Sequence, residues 1–167
     1  MKKMFYLLLV FSMAIAGYSQ TAEEYVKQGS EKNNLQDFNG AIDSFTKAIM
    51  INPKNAEAYN LRGIAKLNIK DTSGAINDFT KAVKINPKNV EAYNNRGFVK
   101  LKIKDYNGAI NDFTKALKVA PGFAEAFANR GFSKIMLGQK DSGCKDLKTA
   151  SQFGYKNVND AILKYCD

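Results

Sequence analysis

Cysteines, evenly spaced glutamates and evenly spaced arginines are the residues of this chain whose chemistry could reach beyond packing. Cys144 and Cys166 are its only cysteines. They could form a disulfide, a redox pair or part of a metal site. The chain has no histidine, and two thiolates alone make a poor zinc site. Nor do they have the close spacing of a thioredoxin-type motif. Glu23, Glu57, Glu91 and Glu125 recur at 34-residue intervals. Paired carboxylates can act as general acid and base. Acids at the start of a helix, however, complement its dipole, and that reading fits a recurring row. Without histidine the commonest base near neutral pH is missing, along with His-dependent triads. No glycine-rich phosphate loop follows a strand, because no stretch reads as a strand. No catalytic residue, cofactor or metal is expected, and the chain is not read as an enzyme.

The arginines carry a different message. Arg62, Arg96 and Arg130 are each followed 16 residues later by Asp78, Asp112 and Asp146. The equivalent positions nearer the N-terminus hold Gln28 and Ser44, so both charges are missing there together. An unpaired buried guanidinium is costly, and a partnership that comes and goes as a unit indicates ion pairs. These are expected to link two helices, within or between structural units. The alternative is a row of arginines lining a ligand site.

The elements that must position these groups follow from an internal period. Asn55-Ala56-Glu57-Ala58-Tyr59-Asn60-Leu61-Arg62-Gly63 parallels Asn89-Val90-Glu91-Ala92-Tyr93-Asn94-Asn95-Arg96-Gly97, and Ala124-Glu125-Ala126-Phe127-Ala128-Asn129-Arg130-Gly131 continues the series. A second block, Gly74-Ala75-Ile76-Asn77-Asp78-Phe79-Thr80-Lys81-Ala82, has near copies from Gly40 and Gly108. Pro53, Pro87 and Pro121 lie 34 residues apart. Within a unit, apolar residues recur three and four apart, a helical period. Tyr59, Gly63 and Leu67 make one stripe, and Ala75, Phe79, Ala82 and Val83 another. Proline ends the second helix, since it lacks an amide hydrogen and clashes with the preceding turn. Each unit is therefore a helix, a tight turn and an antiparallel helix. Gly29, Gly63, Gly97 and Gly131 are expected to face Ala41, Ala75, Ala109 and Gly143 and let two backbones approach.

Aromatic, glycine, alanine, aromatic, alanine and proline in a 34-residue frame resembles the tetratricopeptide repeat (TPR) family. The resemblance spans Ala22 to Asn157, with units 22–55, 56–89, 90–123 and 124–157. It implies an all-α, right-handed superhelix of four helical hairpins. Residues 158–167 then form a C-terminal capping helix, with Val158, Ile162 and Tyr165 apolar against Asn157, Asn159 and Lys164. Lysine stands at Lys32, Lys66, Lys100 and Lys134, where the family commonly has tyrosine. The expectation is that the stem packs while the ammonium reaches solvent.

Residues 1–19 read as a cleaved signal peptide. Lys2 and Lys3 precede an apolar run from Met4 to Ala16, and small residues precede a Ser19/Gln20 cut, with a second cut possible after Ala16. The run is shorter than the ~20 residues that span a bilayer, and no cysteine stands near the cut for a lipid anchor. The mature protein is expected in the periplasm or outside the cell, with no integral membrane segment. An oxidising compartment favours a Cys144–Cys166 disulfide. With a turn near Tyr155, each cysteine lies eleven residues from it, so the two face each other across antiparallel helices. The ending, Gly143-Cys144-Lys145-Asp146-Leu147 with Lys164-Tyr165-Cys166, also resembles that of many exported bacterial TPR proteins.

What remains is a surface. The resemblance places a concave groove on the first helices and assigns to it Asn60, Asn94, Ile64, Phe98 and Phe132, with Asn68, Lys102 and Met136 at its far side. Asparagine amides could bond an extended peptide backbone, and apolar side chains could grip its residues. Phe98 and Phe132 are the expected exposed contacts, while Leu67, Leu101 and Ile135 are expected to be mainly core between units. One TPR subclass clamps the terminal carboxylate of chaperones with lysines, asparagines and an arginine. Its slots hold here Val26, Ser30, Leu61, Glu91 and Asn95, or, one unit later, Asn60, Ile64, Asn95, Glu125 and Asn129, of which only Asn95 fits. That activity is not implied. The net charge of +9 falls to +7 without the leader, and its exposed part is almost all lysine. Nucleic-acid reading leans on the guanidinium fork and is not expected. The partner is read as a protein or extended peptide held by a monomer. Self-assembly of solenoids, or lysine-mediated attachment to anionic envelope material, are the alternatives.

Overall fold

The computed structural model describes residues 20–166. The expected leader, residues 1–19, lies outside them. Four helical hairpins follow one another: α1 (Ala22–Asn34) with α2 (Phe38–Ile51), α3 (Ala56–Asn68) with α4 (Thr72–Ile85), α5 (Val90–Lys102) with α6 (Tyr106–Val119), and α7 (Ala124–Met136) with α8 (Lys140–Gln152). A short 3-10 turn (Lys156–Val158) leads into α9 (Asn159–Tyr165), so the closing helix proper is shorter than residues 158–167. No strand occurs among the described residues.

Local chemistry starts and stops these helices at the repeat period. Asn55 and Asn89 accept from the amides of Ala58 and Ala92 at 2.9 Å, capping the inner helices α3 and α5. Asp37, Asp71 and Asp105 cap the outer helices α2, α4 and α6 through the amides of Gly40, Gly74 and Gly108. Each such cap is worth about 1 kcal/mol. The turns between inner and outer helices need one left-handed residue. Gln36, Lys70 and Lys104 adopt it at φ near +62° to +65°, and Gly138 takes the equivalent place at +79°.

The hairpins nest because each outer helix drives an apolar side chain into its own inner helix. Phe45, Phe79, Phe113 and Leu147 are the fully buried plugs of the successive units. A Cβ on Gly29, Gly63 or Gly97 would stand 2.6–2.8 Å from the ring of Phe45, Phe79 or Phe113. The nearest neighbour of each of these glycines is thus an aromatic ring, which the sequence expectation of a facing alanine did not include. In the last unit the nearest atom is backbone, with a Gly131 Cβ 2.8 Å from the Gly143 carbonyl oxygen. Alanines 82, 92, 109, 116 and 126 let neighbouring hairpins close on one continuous core.

The last hairpin has no following unit, and α9 covers it. Val158 and Ala161 pack on Ala128, Leu147 and Ala150, with Ile162 and Tyr165 alongside. Cys144 and Cys166 are joined, their Cα atoms 5.5 Å apart. Closing a loop of this length contributes about 3 kcal/mol in the chain-entropy model. Reduction is therefore expected to lower the stability of the C-terminal hairpin by about that amount. In hydrogen exchange, α9 and α8 should lose protection while α1 to α4 keep theirs. Cys144→Ser/Cys166→Ser should show the lowered profile with or without reductant. Unchanged exchange on reduction would show that packing alone holds the closing helix.

Candidate functional site

Between the two helices of the second, third and fourth hairpins lies an ionic knot. In the third, Arg96 donates from Nε and Nη2 to the two carboxylate oxygens of Asp112, at 2.9 and 2.6 Å. Arg62 with Asp78 and Arg130 with Asp146 make the same forked contact. The pairing is therefore within a unit. The third guanidinium nitrogen reaches the previous unit's outer helix, where Thr46, Thr80 or Thr114 accepts at 3.0–3.3 Å. One arginine thus ties three helices. Its guanidinium carbon also sits 5.3–5.8 Å from the ring of Tyr59, Tyr93 or Phe127, one turn earlier.

The lysines differ from expectation. Lys66, Lys100 and Lys134 do not send their ammonium groups to solvent; each bonds the same aspartate as the arginine, at 2.7–2.8 Å. Lys32, whose unit has Ser44 in place of that aspartate, donates instead to Ser44 Oγ at 3.1 Å and the Gly40 carbonyl at 3.4 Å. The cause is helix geometry: lysine lies four residues after arginine, on the same face, and both reach one carboxylate. Burial, the largest single influence, disfavours the ionised form of Asp146, but the hydrogen bonds and positive charges of Arg130 and Lys134 together outweigh it and hold its pKa below the usual carboxylate value. That stabilisation is present above the unfolded-state carboxylate pKa and is lost as pH falls through the lowered folded value. These groups are occupied with one another, which leaves no row of free arginines at a ligand site.

The inner helices carry the groove. Ile64, Leu67, Asn68, Asn95, Phe98 and Glu125 line an open recess of about 380 Å³. Phe98 is 39% exposed, with the Lys102 ammonium 5.1 Å from its ring centroid. Met136 is exposed further along. Other expected contacts are placed differently. Asn60 is buried, and its Oδ1 accepts from Asn95 Nδ2 at 3.1 Å. Asn94 is 4% exposed and donates to Glu125 Oε1 at 3.0 Å. Both amides join adjacent units and are not offered to a peptide. Asn94 Oδ1 and Asn129 Nδ2 are buried without a partner. They are a complementary acceptor and donor, one repeat on from the Asn60–Asn95 bond. Phe132 is half-buried against the C-terminal core together with Ile135, so it is as much a packing residue as a contact. Leu67 and Leu101 likewise lean on core clusters.

Asn95 and Glu125 also line the groove; from the sequence both appear as slots of the carboxylate clamp, of which Asn95 alone fits. Among the described residues there is no group of three or more His, Cys, Asp or Glu side chains able to hold a metal. No helix among them is long and apolar enough to cross a membrane.

The comparisons with known proteins agree with this architecture. Models described as tetratricopeptide repeat match residues 22–55 and 90–123, and one described as TPR repeat matches residues 70–104. No curated protein matches in sequence. The TPR domain of Arabidopsis OM64 is 30% identical, covers 69% of this chain and 95% of its own, and superposes with a TM-score of 0.67. A crystal structure of MamA is 25% identical over 89% of this chain and 86% of its own, with a TM-score of 0.78. The first TPR of Spaghetti (RPAP3), solved bound to the HSP90 peptide SRMEEVD, is 25% identical over 72% of this chain and 95% of its own, with a TM-score of 0.69. With nested hairpins, a 34-residue step and an inner-helix groove all in place, the chain belongs to the tetratricopeptide repeat family.

Proposed function

We infer that the protein is a non-enzymatic scaffold that holds an extended peptide segment of another protein in the groove of its inner helices. The observation that carries this reading is the recess around Phe98. An exposed aromatic ring stands there among the apolar side chains of Ile64 and Leu67 and the polar ones of Asn68, Asn95 and Glu125. A recess with apolar lining and a few polar groups beside it takes one anchoring side chain and fixes the backbone next to it. The RPAP3 domain bound to an HSP90 peptide supports this use of the fold. Its acidic ligand does not transfer. The groove here carries Glu125, and Glu57 and Glu91 follow the same row on the inner helices, so an apolar or basic segment is the better match. Export to the periplasm or beyond, through residues 1–19, completes the proposal and rests on the composition of that leader.

Peptides selected from a random displayed library against the mature protein test it. Phe98→Ala is expected to weaken the selected binders at least about tenfold, as a buried aromatic anchor at the centre of an interface does. Ile103→Ala, on the exposed turn edge, should leave them unchanged. Binders indifferent to Phe98 would place recognition elsewhere.

A further inference from the structure

The charges of this protein are segregated by helix layer. On the inner helices the exposed ionisable residues are mostly acidic, among them Glu23, Glu24, Glu31, Glu57 and Glu91. The outer helices expose lysines: Lys47, Lys81, Lys84, Lys115, Lys118 and Lys145, with Asp43 and Asp141 the exposed acids of that layer. Two of these lysines, together with one from the loop before α5, converge on a recess of about 560 Å³. It is lined by Pro87, Lys88, Tyr93, Lys115, Lys118 and Val119, with no carboxylate among them. The Lys115 ammonium lies 5.8 Å from the Tyr93 ring centroid.

The residues one repeat earlier are Pro53, Lys54, Tyr59, Lys81, Lys84 and Ile85. Every residue type is the same, save isoleucine for valine. One repeat later all three lysines are gone, replaced by Gly122, Thr149 and Gln152. There the aromatic slot is Phe127, stacked on Phe153 with centroids 5.8 Å apart. The residue set of the basic recess is thus duplicated in sequence, and at the C-terminal unit an aromatic pair stands in its place. Neither copy is part of the groove.

We propose that this recess and its counterpart one repeat earlier bind an acidic polysaccharide running along the outer layer, its anionic groups held by Lys88, Lys115 and Lys118 in the one and by Lys54, Lys81 and Lys84 in the other. Ammonium groups only donate hydrogen bonds, and the proline of each recess has no amide. A carboxylate or sugar hydroxyl can meet them wholly as an acceptor. A peptide backbone brings one N–H for each carbonyl and finds little here to accept it. The apolar proline, tyrosine and aliphatic walls suit the C–H face of a sugar ring. Duplex DNA is disfavoured because every arginine is engaged with an aspartate, and guanidinium forks are what read base edges. A flat bilayer would meet the crests of a convex layer and miss its recesses.

The test uses alginate, a polyuronate, as probe, with the full mature chain in isothermal titration at low and moderate salt. Lys84→Gln/Lys118→Gln removes one lysine from each recess. Lys70→Gln/Lys104→Gln removes equal charge from the opposite edge, at positions whose left-handed backbone Gln36 adopts in the first unit. Alginate oligomers long enough to reach both recesses should bind at least about tenfold more tightly than those filling one. Their affinity should fall steeply with salt. Lys84→Gln/Lys118→Gln should cost about tenfold and Lys70→Gln/Lys104→Gln less than about threefold, because only the first pair removes contacts. Equal losses from the two variants, binding no tighter than neutral dextran, or equal binding of polyglutamate, duplex DNA or anionic vesicles would each overturn the proposal. Phe98→Ala is expected to leave alginate binding unchanged, which separates this surface from the peptide groove.

Discussion

Replacing Asp112 by alanine is expected to destabilise the protein by about 3–5 kcal/mol, the cost of leaving buried charge uncompensated. Asp112 has no solvent exposure and holds two cations, Arg96 Nη2 at 2.6 Å and Lys100 Nζ at 2.8 Å. Its loss strands a guanidinium and an ammonium between α5 and α6. Urea unfolding of Asp112→Ala, Arg96→Met and the double variant forms the cycle that measures this. The two losses should be strongly non-additive, because once one partner is gone the other has little left to lose. Additive losses would mean that the forked contact contributes nothing of its own. A triple change, Arg96→Met/Lys100→Met/Asp112→Leu, should recover most of the stability, since burying ion pairs returns little over well-packed apolar groups. The first unit is a natural precedent: Gln28, Lys32 and Ser44 occupy these three positions without a carboxylate.

What the knot contributes beyond free energy is register. The arginine bonds one carboxylate in its own hairpin and one threonine in the hairpin before. A slip of either outer helix by one turn would break one of the two bonds, so both helices are held in step with the arginine between them. A groove built from neighbouring inner helices depends on that register, since Asn95 must meet Asn60 and Asn94 must meet Glu125. The ionic layer thus supports the recess around Phe98 without touching anything bound in it.

The hairpin repeat and the arginine–aspartate partnership were legible in the sequence because each recurs, and recurrence exposes covariation within a single chain. Gln28 with Ser44, against Arg62 with Asp78, is such a case. The lysine's role was equally available in principle, since Lys66 follows Arg62 by four residues and so shares its helix face. Taken alone, a lysine at that position looks like an amphipathic stem with a solvated end, and only the shared aspartate shows otherwise. Thr46, Thr80 and Thr114 follow the buried phenylalanines in every copy, yet nothing local distinguishes them from solvated threonines. Their partner lies in the next hairpin.

The groove was less legible for a geometric reason. Asn94 and Asn95 are neighbours in sequence but point about 100° apart around the helix. Which of them faces the concavity depends on how far each hairpin rotates against the last. Asn94 turned into the unit interface, and Asn95 is the one that lines the recess. Phe132 shifted for a related reason. Its unit is the last, and the core under α9 draws that ring half inward, whereas the same slot one unit earlier leaves Phe98 exposed.

Phe113→Ala is the second large effect, expected at about 3–5 kcal/mol from lost burial and the cavity left behind. The ring is fully buried and belongs to the central cluster shared by the second, third and fourth hairpins. Its partner offers a sharper test. A Cβ on Gly97 would lie 2.8 Å from the Phe113 ring, so Gly97→Ala alone is expected to destabilise. This is despite the gain of about 1 kcal/mol that alanine brings over glycine inside a helix. With Phe113 cut back to alanine the obstruction is gone, and the same Gly97→Ala change should become stabilising through helix propensity and partial filling of the void. A reversal of sign between the two backgrounds, read as a shift in the urea midpoint at constant m-value, is the signature of direct ring-to-backbone contact. If Gly97→Ala costs the same in both backgrounds, the glycine is required by something other than the ring. The fourth unit supplies the contrast: Gly131 faces the Gly143 carbonyl as well as Leu147, so there no trimming of the side chain opposite should rescue an alanine.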